Sequence, residues 1–268
     1  MTGETLRETR ERLELAIGLA RAAGAIQRER YESDFAVGTK SSAVDLVTDV
    51  DRACEQAVVE GIRAARPGDA VLAEEGGGQE PDGATWRWLI DPLDGTTNYA
   101  HGYPCFCVSI GLEREGETLA GVVYNPLLDE LYHAVRGGGA FRNGRRIRVS
   151  GETDLGRSLV ATGFAYDRRE NPRANLEHFG AFLRTARAVR RDGSAALDLC
   201  AVACGRFQGY WEFGLKPWDV AAGVLLVEEA GGRCSDPAGA PAPRDGSVVV
   251  ASNALVHEAM LRVLAEHP

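Results

Sequence analysis

Asp91 and Asp94 stand three residues apart where an apolar stretch gives way to a turn, in the run WLIDPLDGTTN over residues 88–98. The three apolar residues before Asp91 are typical of the end of a buried strand, and Pro92 predicts that the strand ends there because proline cannot donate to a ladder. Gly95 lets the backbone turn, and a threonine or asparagine after it predicts a helix cap. An exposed acidic turn would have the same local sequence, but acids at the carboxyl end of a strand are typical of sites in α/β proteins.

Two further acidic segments occupy comparable positions. Glu74 and Glu75 follow the short apolar run 71–73 and precede glycines, and Asp219 stands in the first turn of a predicted helix that ends at a pair of glycines. An aspartate in a first turn is commonly only a helix cap. Three acidic clusters beside strand or helix ends instead favour a site for a hard cation such as Mg²⁺, which prefers oxygen ligands.

A fourth segment, residues 40–51, has the spacing of a capping box between Thr48 and Asp51. Apolar residues at four-residue intervals predict that a helix follows it. Asp51 has two interpretations: it serves only its own helix, or it orients a water molecule through a threonine. Lys40 either approaches a phosphate or lies in solvent on a loop, and Lys216 either meets a second anionic group of a substrate or is solvated.

Three segments of the chain resemble the inositol monophosphatase family of metal-dependent, lithium-sensitive phosphatases, in the order and spacing of that family. They are residues 73–75, 88–99 and 218–232, and residues 191–199 and 209–215 are similar to the substrate-side segments of the family. The resemblance implies an α/β (α+β layered) fold, the αβαβα five-layer sandwich, as one domain over residues 1–268. It also implies two or three Mg²⁺ ions per site and a homodimer.

The resemblance further implies roles for individual residues. The metal ligands would be Glu74, Asp91, the backbone carbonyl of Leu93, Asp94 and Asp219. The residues that position and activate the attacking water would be Glu75, Asp51 and Thr96. The residues that contact the substrate would be Asp94, Gly95, Thr96, Ser194, Ala195 and Glu212. The phosphate would lie against the N–H groups at the start of a helix, and the substrate hydroxyls would face carboxylates.

Composition disfavours several classes of protein. The formal net charge of −9 disfavours a nucleic-acid-binding surface, because phosphate backbones bind basic patches. No apolar run reaches about 18 residues and the first residues are charged, so we expect neither a signal peptide nor a membrane span. The six cysteines lie in apolar contexts that are typical of reduced thiols, so we expect a cytoplasmic protein without membrane contact.

Hydrophobic periodicity predicts layered helices and strands without a linker or repeat. Helices are expected over about 4–29, from 48 onwards, over 174–187, 194–204 and 255–265, and at Trp218. Strands are expected to end at Ala73 and Asp91 and to cover 106–112, 119–124, 130–135, 159–162, 188–190, 207–212 and 248–251. Asn143 and Gly144 predict a hairpin turn.

The leading hypothesis is a Mg²⁺-dependent phosphomonoesterase that hydrolyses inositol 1-phosphate with a metal-activated water. On the same fold the alternatives are fructose-1,6-bisphosphatase, histidinol-phosphate phosphatase and nucleotide 3′-phosphatase, so the expected partner is a small phosphorylated polyol or sugar. A hypothesis of another class is a metal-binding interaction module that keeps the fold without turnover. Such a module would be expected to have lost part of the acidic constellation, and every member of it is present in this chain.

Overall fold

The computed structural model describes residues 2–40, 42–171 and 175–266. Within these ranges the helices are α1 (Gly3–Arg30), α2 (Asp49–Ala65), α3 (Thr96–Ala100), α4 (Leu176–Thr185), α5 (Ala195–Ala203), α6 (Pro217–Glu229) and α7 (His257–Ala265). The strands are β1 (Val37–Thr39), β2 (Leu46–Thr48), β3 (Ala70–Ala73), β4 (Trp86–Asp94), β5 (Cys107–Arg114), β6 (Glu117–Asn125), β7 (Glu130–Val135), β8 (Gly139–Arg142), β9 (Arg145–Arg146), β10 (Leu159–Thr162), β11 (Ala188–Arg190), β12 (Gly209–Phe213), β13 (Arg233–Ser235) and β14 (Val248–Ser252).

Most of these strands form two sheets. The larger has the order β3-β4-β5-β6-β7-β8-β9, with β3 and β4 parallel and each later pair antiparallel. The smaller has the order β11-β10-β12-β14-β13, in which β10 runs parallel to both β11 and β12. The strands β1 and β2 form a separate antiparallel pair just before α2.

Helices cover both sheets on both faces. The helices α1 and α2 pack on one face of the larger sheet, where Val58 and Ile62 are buried with Trp88. The helices α5 and α6 fill the space between the sheets, and α4 and α7 cover the outer face of the smaller sheet. The layer order is therefore α, β, α, β, α, which confirms the five-layer sandwich expected from the resemblance.

Successive residues of β12 face opposite layers, as the period of a strand requires. Tyr210 is buried in the core with α5 and α6. Trp211 points the other way and stacks on Phe182 of α4, with ring centroids 3.9 Å apart. Glu212, the next residue, therefore returns to the side of Tyr210, which is the side that faces the larger sheet.

Two glycines of the larger sheet allow α6 to lie directly on it. An added Cβ at Gly111 would lie 2.8 Å from the Cβ of Ala221, and one at Gly121 would lie 2.8 Å from the Cα of Ala222. A larger residue at either glycine would push the helix outward, because protein interiors are close-packed.

The prediction that the strand ends at Asp91 is wrong, because β4 continues to Asp94. The pairing of β4 with β5 shifts register between Asp91 and Asp94, so Pro92 lies in a β-bulge and needs no ladder hydrogen bond. The predicted side-chain cap is also wrong: Gly95 is the N-cap of α3, with φ 100° and no side-chain hydrogen bond. An added Cβ at Gly95 would lie 2.7 Å from the carbonyl oxygen of Cys105, so only glycine fits this turn.

Most of the other predicted elements are found within a few residues of their expected bounds. The strands β1, β2 and β13 were not predicted; three-residue strands carry little periodicity, although the equally short β11 has the predicted bounds. Ala174, the predicted start of α4, and Ser41, in the predicted segment 40–51, lie outside the described residues. None of the helices in the described ranges is both long enough and apolar enough to cross a membrane.

Candidate active site

Asp91 is the centre of an acidic cluster beside the bulge of β4. It is 2% exposed, and its Oδ1 accepts a 3.0 Å hydrogen bond from the backbone N–H of Leu93. Burial, followed by the charges of Glu74, Asp94 and Asp219, raises the pKa of Asp91 well above its ordinary value. Burial and the charges of Glu74 and Asp94 likewise raise the pKa of Asp219 well above its ordinary value. These four carboxyl groups, which come from three separate segments, therefore lie close enough to repel one another.

Asp94 connects this cluster with the N-terminus of α5. Its Oδ2 accepts hydrogen bonds from the hydroxyl of Ser194 at 2.6 Å and from the backbone N–H of Ala196 at 2.7 Å. Ser194 is the N-cap of α5, so the carboxylate lies where the helix presents unpaired N–H groups. Burial raises the pKa of Asp94 to about 6, although the hydrogen bonds from Ser194, Ala196 and Ala195 lower it.

Asp51 and Thr96 form the second part of the site. Asp51 is fully buried, and its Oδ1 accepts a 2.8 Å hydrogen bond from the hydroxyl of Thr96. Its Oδ2 accepts a 2.8 Å hydrogen bond from the backbone N–H of Thr48, which completes the predicted capping box. The hydroxyl of Thr96 also lies 3.1 Å from the carbonyl oxygen of Leu93. Asp51 therefore caps its own helix and also orients Thr96, so the two interpretations do not exclude each other.

Glu74 and Glu75 share one ammonium group, that of Lys40. The Nζ of Lys40 lies 2.8 Å from Oε1 of Glu74 and also donates to Glu75. Burial lowers the pKa of Lys40, but the two glutamates more than offset this and raise it above its ordinary value. Burial raises the pKa of Glu75 to about 7, and Lys40 lowers it. The interpretation of Lys40 as a solvated loop residue is therefore wrong, since its side chain is 22% exposed and paired.

Glu212 lies close enough to Asp94 and Asp219 for their charges to interact. It is partly buried, and its Oε2 accepts a 2.5 Å hydrogen bond from the hydroxyl of Tyr210. Burial raises the pKa of Glu212 to about 7, while Tyr210 and Arg191 lower it and Asp94 raises it. The charge of Glu212 also contributes, after burial and Asp192, to raising the pKa of the buried Asp198 well above its ordinary value. Glu212 and Ser194 thus both lie near the carboxylate of Asp94.

Glu55 is a site residue that the sequence analysis missed. Its carboxylate accepts hydrogen bonds from the backbone N–H groups of Glu75 and Gly77, both at 2.7 Å. It thereby fixes the loop that carries Glu75. The available signal was its position one helical turn after Asp51, on the same buried face of α2.

Gln27 is the second missed residue. It is fully buried in α1, and its Nε2 donates hydrogen bonds to the carbonyl oxygens of Pro92 at 2.8 Å and Cys107 at 3.4 Å. Pro92 lies in the bulge, so this side chain supplies the partner that the ladder does not. The signal was a polar residue on the apolar stripe of α1, since buried polar groups require a partner.

The donor set of the acidic cluster fits a hard divalent cation, because carboxylate and carbonyl oxygens are the ligands such ions prefer. Within the part of the chain that the structure describes, no three histidine, cysteine, aspartate or glutamate side chains are already close enough to hold an ion. Three of these carboxylates have donors of the protein as partners: Lys40 binds Glu74, Ser194 binds Asp94, and the N–H of Lys216 binds Asp219. A bound cation would neutralise the negative charge that Glu74, Asp94 and Asp219 place around Asp91.

The chain is similar to characterised proteins along most of its length. An inositol-1-monophosphatase from Mesorhizobium japonicum is 46% identical over 227 residues, which are 82% of this chain and 83% of that protein. A protein named Nus factor SuhB from Pseudomonas aeruginosa is 43% identical over 262 residues, which are 95% of this chain and 96% of that protein.

Solved structures show the same similarity. The inositol monophosphatase from Anabaena (Nostoc) has a TM-score of 0.87 at 45% identity, covering 97% of each chain. The extragenic suppressor protein suhB from Bartonella henselae has a TM-score of 0.90 at 37% identity, covering 95% of this chain and 98% of that chain. Residues 8–268 match the inositol monophosphatase family, and the chain therefore belongs to that family.

Proposed function

We propose that this protein is a Mg²⁺-dependent phosphomonoesterase whose preferred substrate is inositol 1-phosphate. One observation carries the proposal: Asp94 interacts with the charges of Asp91 and Asp219 on one side and is hydrogen-bonded to Ser194 on the other. A single carboxylate thus interacts both with the acids that suit a cation and with a residue that we propose binds the polyol. Family membership supports phosphatase activity, and members of the family depend on a divalent metal.

The metal ligands in this proposal are the oxygens gathered around the bulge. They are Glu74, Asp91, the carbonyl of Leu93, Asp94 and Asp219, for two or three Mg²⁺ ions. Bound Mg²⁺ supplies a water of lowered pKa and neutralises charge on the phosphate and the leaving oxygen. Lys40 would compete with an ion for Glu74, because its ammonium group already lies 2.8 Å from Oε1 of that carboxylate.

The remaining residues bind, orient and transfer protons. Asp51 accepts from Thr96 and so directs the lone pairs of that hydroxyl toward the place where a water would be held. Glu75, with its pKa raised to about 7, can accept a proton near neutral pH. The phosphate lies against the turn formed by Gly95 and Thr96. The residues proposed to bind the substrate hydroxyls are Asp94, Ser194, Ala195 and Glu212.

The test is phosphate release from four substrates, each with Mg²⁺ and with EDTA. The substrates are inositol 1-phosphate, fructose 1,6-bisphosphate, histidinol phosphate and adenosine 3′,5′-bisphosphate. We expect metal-dependent turnover with the highest kcat/KM on inositol 1-phosphate. A higher value on another substrate would overturn the roles of Ser194 and Glu212 while leaving the metal site in place.

Two further properties follow from the proposal. Lithium should inhibit at high Mg²⁺ and saturating substrate, because we propose that it occupies one of the metal positions after hydrolysis; an enzyme indifferent to lithium would belong to a divergent branch. The homodimer remains a prediction, which light scattering coupled to size-exclusion chromatography would test.

A second function, as an interaction protein, is favoured by the 43% identity to the Nus factor SuhB of Pseudomonas aeruginosa. We place it second because all the acids that the phosphatase needs are retained in this chain. Absence of turnover on all four substrates would reverse this order.

A further inference from the structure

Glu212 rests directly on the backbone of Gly163. The strands β10 and β12 are parallel with Thr162 opposite Trp211, so Gly163 comes next to Glu212. An added Cβ at Gly163 would lie 2.1 Å from both carboxylate oxygens of Glu212. The carboxylate therefore fills the space that any side chain at position 163 would need.

A buried network holds the backbone of Gly163 in place. Asn175 donates from Nδ2 to the carbonyl oxygen of Gly163 at 2.7 Å and to the hydroxyl of Thr162 at 2.8 Å. The indole N–H of Trp211 donates to Oδ1 of Asn175 at 2.8 Å, and the hydroxyl of Thr162 donates to the carbonyl oxygen of Trp211 at 2.6 Å. Each of these three side chains is at most 5% exposed. The surface beneath Glu212 is thus rigid, because every polar atom in the network has a partner.

The other contact of Glu212 comes from its own strand. Tyr210, two residues earlier on the same face of β12, donates its hydroxyl to Oε2 at 2.5 Å. The glycine backbone beneath and the phenol to one side thus set where the carboxylate lies. One oxygen accepts from Tyr210, and in the proposed function the carboxylate also accepts from a substrate hydroxyl.

We propose that Gly163 determines selectivity for polyol phosphates by leaving room for the carboxylate of Glu212 to face the leaving group. It is a positioning residue, since it acts through Glu212 and touches no reacting atom. The inference rests on the proposed function, because it requires Glu212 to bind a substrate hydroxyl. Any residue with a Cβ at position 163 displaces the carboxylate, and polyol hydroxyls then lose an acceptor.

The test is Gly163→Ala, assayed with inositol 1-phosphate and with p-nitrophenyl phosphate, whose leaving group offers no polyol hydroxyls. The backbone of Gly163 does not adopt the left-handed conformation, and the displaced atoms are the end of a flexible side chain, so the variant should fold. We expect kcat/KM on inositol 1-phosphate to fall about 10- to 100-fold, mainly through KM, as for loss of a hydrogen bond to a charged group. Turnover of the aryl phosphate should change less than about twofold, since it makes no such contact.

The matched control is Gly180→Ala in α4, where an added Cβ would meet only Arg184 Nη2, at 3.8 Å. It should leave both substrates unaffected. Glu212→Gln removes the charge of the acceptor and should reproduce the selective loss, and combining it with Gly163→Ala should add little, because both changes weaken the same contact.

The outcomes separate this inference from the proposed function. Selective loss in Gly163→Ala and in Glu212→Gln supports it. Loss in Glu212→Gln but wild-type selectivity in Gly163→Ala overturns the inference and leaves the proposed function standing. Equal losses on both substrates in Gly163→Ala also overturn it, since they indicate general damage. A wild-type protein without preference for inositol 1-phosphate over the aryl phosphate overturns both.

Discussion

Ser194 donates a 2.6 Å hydrogen bond to Asp94 across 100 residues of sequence, and so joins the N-terminus of α5 to the end of β4. Asp94 belongs to the larger sheet, whereas α5 lies between the two sheets. The bond therefore links the acidic cluster to the start of α5. Its geometry depends on the bulge at Pro92, which carries β4 three residues beyond Asp91.

Asp94→Asn should abolish most turnover while leaving the fold intact. An amide presents one acceptor oxygen instead of two and cannot both hold Ser194 and serve as an anionic metal ligand. We expect kcat/KM to fall by at least about 100-fold. Replacing a residue that only hydrogen-bonds to a metal ligand already lowers metal affinity or activity by about 10- to 100-fold. Circular dichroism should match the wild type, as it should for the control Asp82→Asn in an exposed loop. Activity of Asp94→Asn near that of the wild type would refute the ligand role.

Lys40→Met should make Mg²⁺ bind more tightly. The ammonium group competes for Glu74 and Glu75, and for a partly exposed pair its removal corresponds to about 1 kcal/mol, or roughly fivefold in Kd. The metal-free protein should melt at a lower temperature, because two carboxylates then lack a counter-charge. Isothermal titration calorimetry measures the Kd, and the only other lysine provides the control Lys216→Met. An unchanged Kd in Lys40→Met would show that Lys40 does not compete with the ion.

Gln27→Met should weaken Mg²⁺ binding without unfolding the protein. The change removes the donor to the carbonyl of Pro92, which loosens the bulge that presents Asp91 and Asp94. The change also removes Oε1 of Gln27, a buried oxygen that has no hydrogen-bond partner among the described residues. Removing this unpaired atom offsets the stability lost with the hydrogen bond. We expect the Kd for Mg²⁺ to rise about 10-fold in calorimetry, with little change in Tm. Gln56→Met on the exposed face of α2 is the control, and equal Mg²⁺ affinity in both variants would contradict the prediction.

His257 should make the fold sensitive to acid. It is fully buried between the hydroxyls of Ser235 and Ser252, at 2.9 and 2.8 Å, and burial lowers its pKa from 6.5 to about 4. Between these two pH values the histidine is protonated in the unfolded chain and neutral in the folded chain. The free energy of unfolding therefore falls as the pH falls from 6.5 to about 4. Outside that window this contribution is constant.

The expected loss attributable to His257 is about 3 kcal/mol, from about 1.4 kcal/mol for each unit of pH. Urea unfolding of the wild type and of His257→Gln at several pH values measures it. The difference between the two proteins isolates this group from the buried carboxyl groups, whose raised pKa values act in the opposite direction. Parallel pH profiles for the two proteins would show that His257 has the same pKa in the folded and unfolded chains, which would contradict the prediction.

The elements that sequence periodicity predicted well were those with a complete apolar face. Helix α2 buries Val50, Cys54, Val58 and Ile62, which are the residues whose four-residue spacing predicts it. Strand β10 has the predicted bounds, Leu159–Thr162. Periodicity determines which face is buried, and burial of that face stabilises the element, so the pattern and the structure share one cause.

The sequence was misleading where tertiary contacts override a local rule. Pro92 ordinarily ends a strand, but here the register shift removes the need for its N–H and Gln27 supplies the missing donor to its carbonyl. Thr96 has the composition of a cap, yet its hydroxyl is held by Asp51 from α2. Both partners are distant in sequence, and no local pattern could indicate them.

The chain by itself determined the α/β layering, the family resemblance and which acids are present, because these follow from residue type and spacing. Only the tertiary structure decided that Lys40 binds Glu74 and Glu75, that Ser194 binds Asp94, and that Glu212 rests on Gly163. These contacts join separate segments whose approach is set by how α6 and the two sheets pack. Packing depends on the shapes of all the facing residues at once, and a linear pattern does not contain that information.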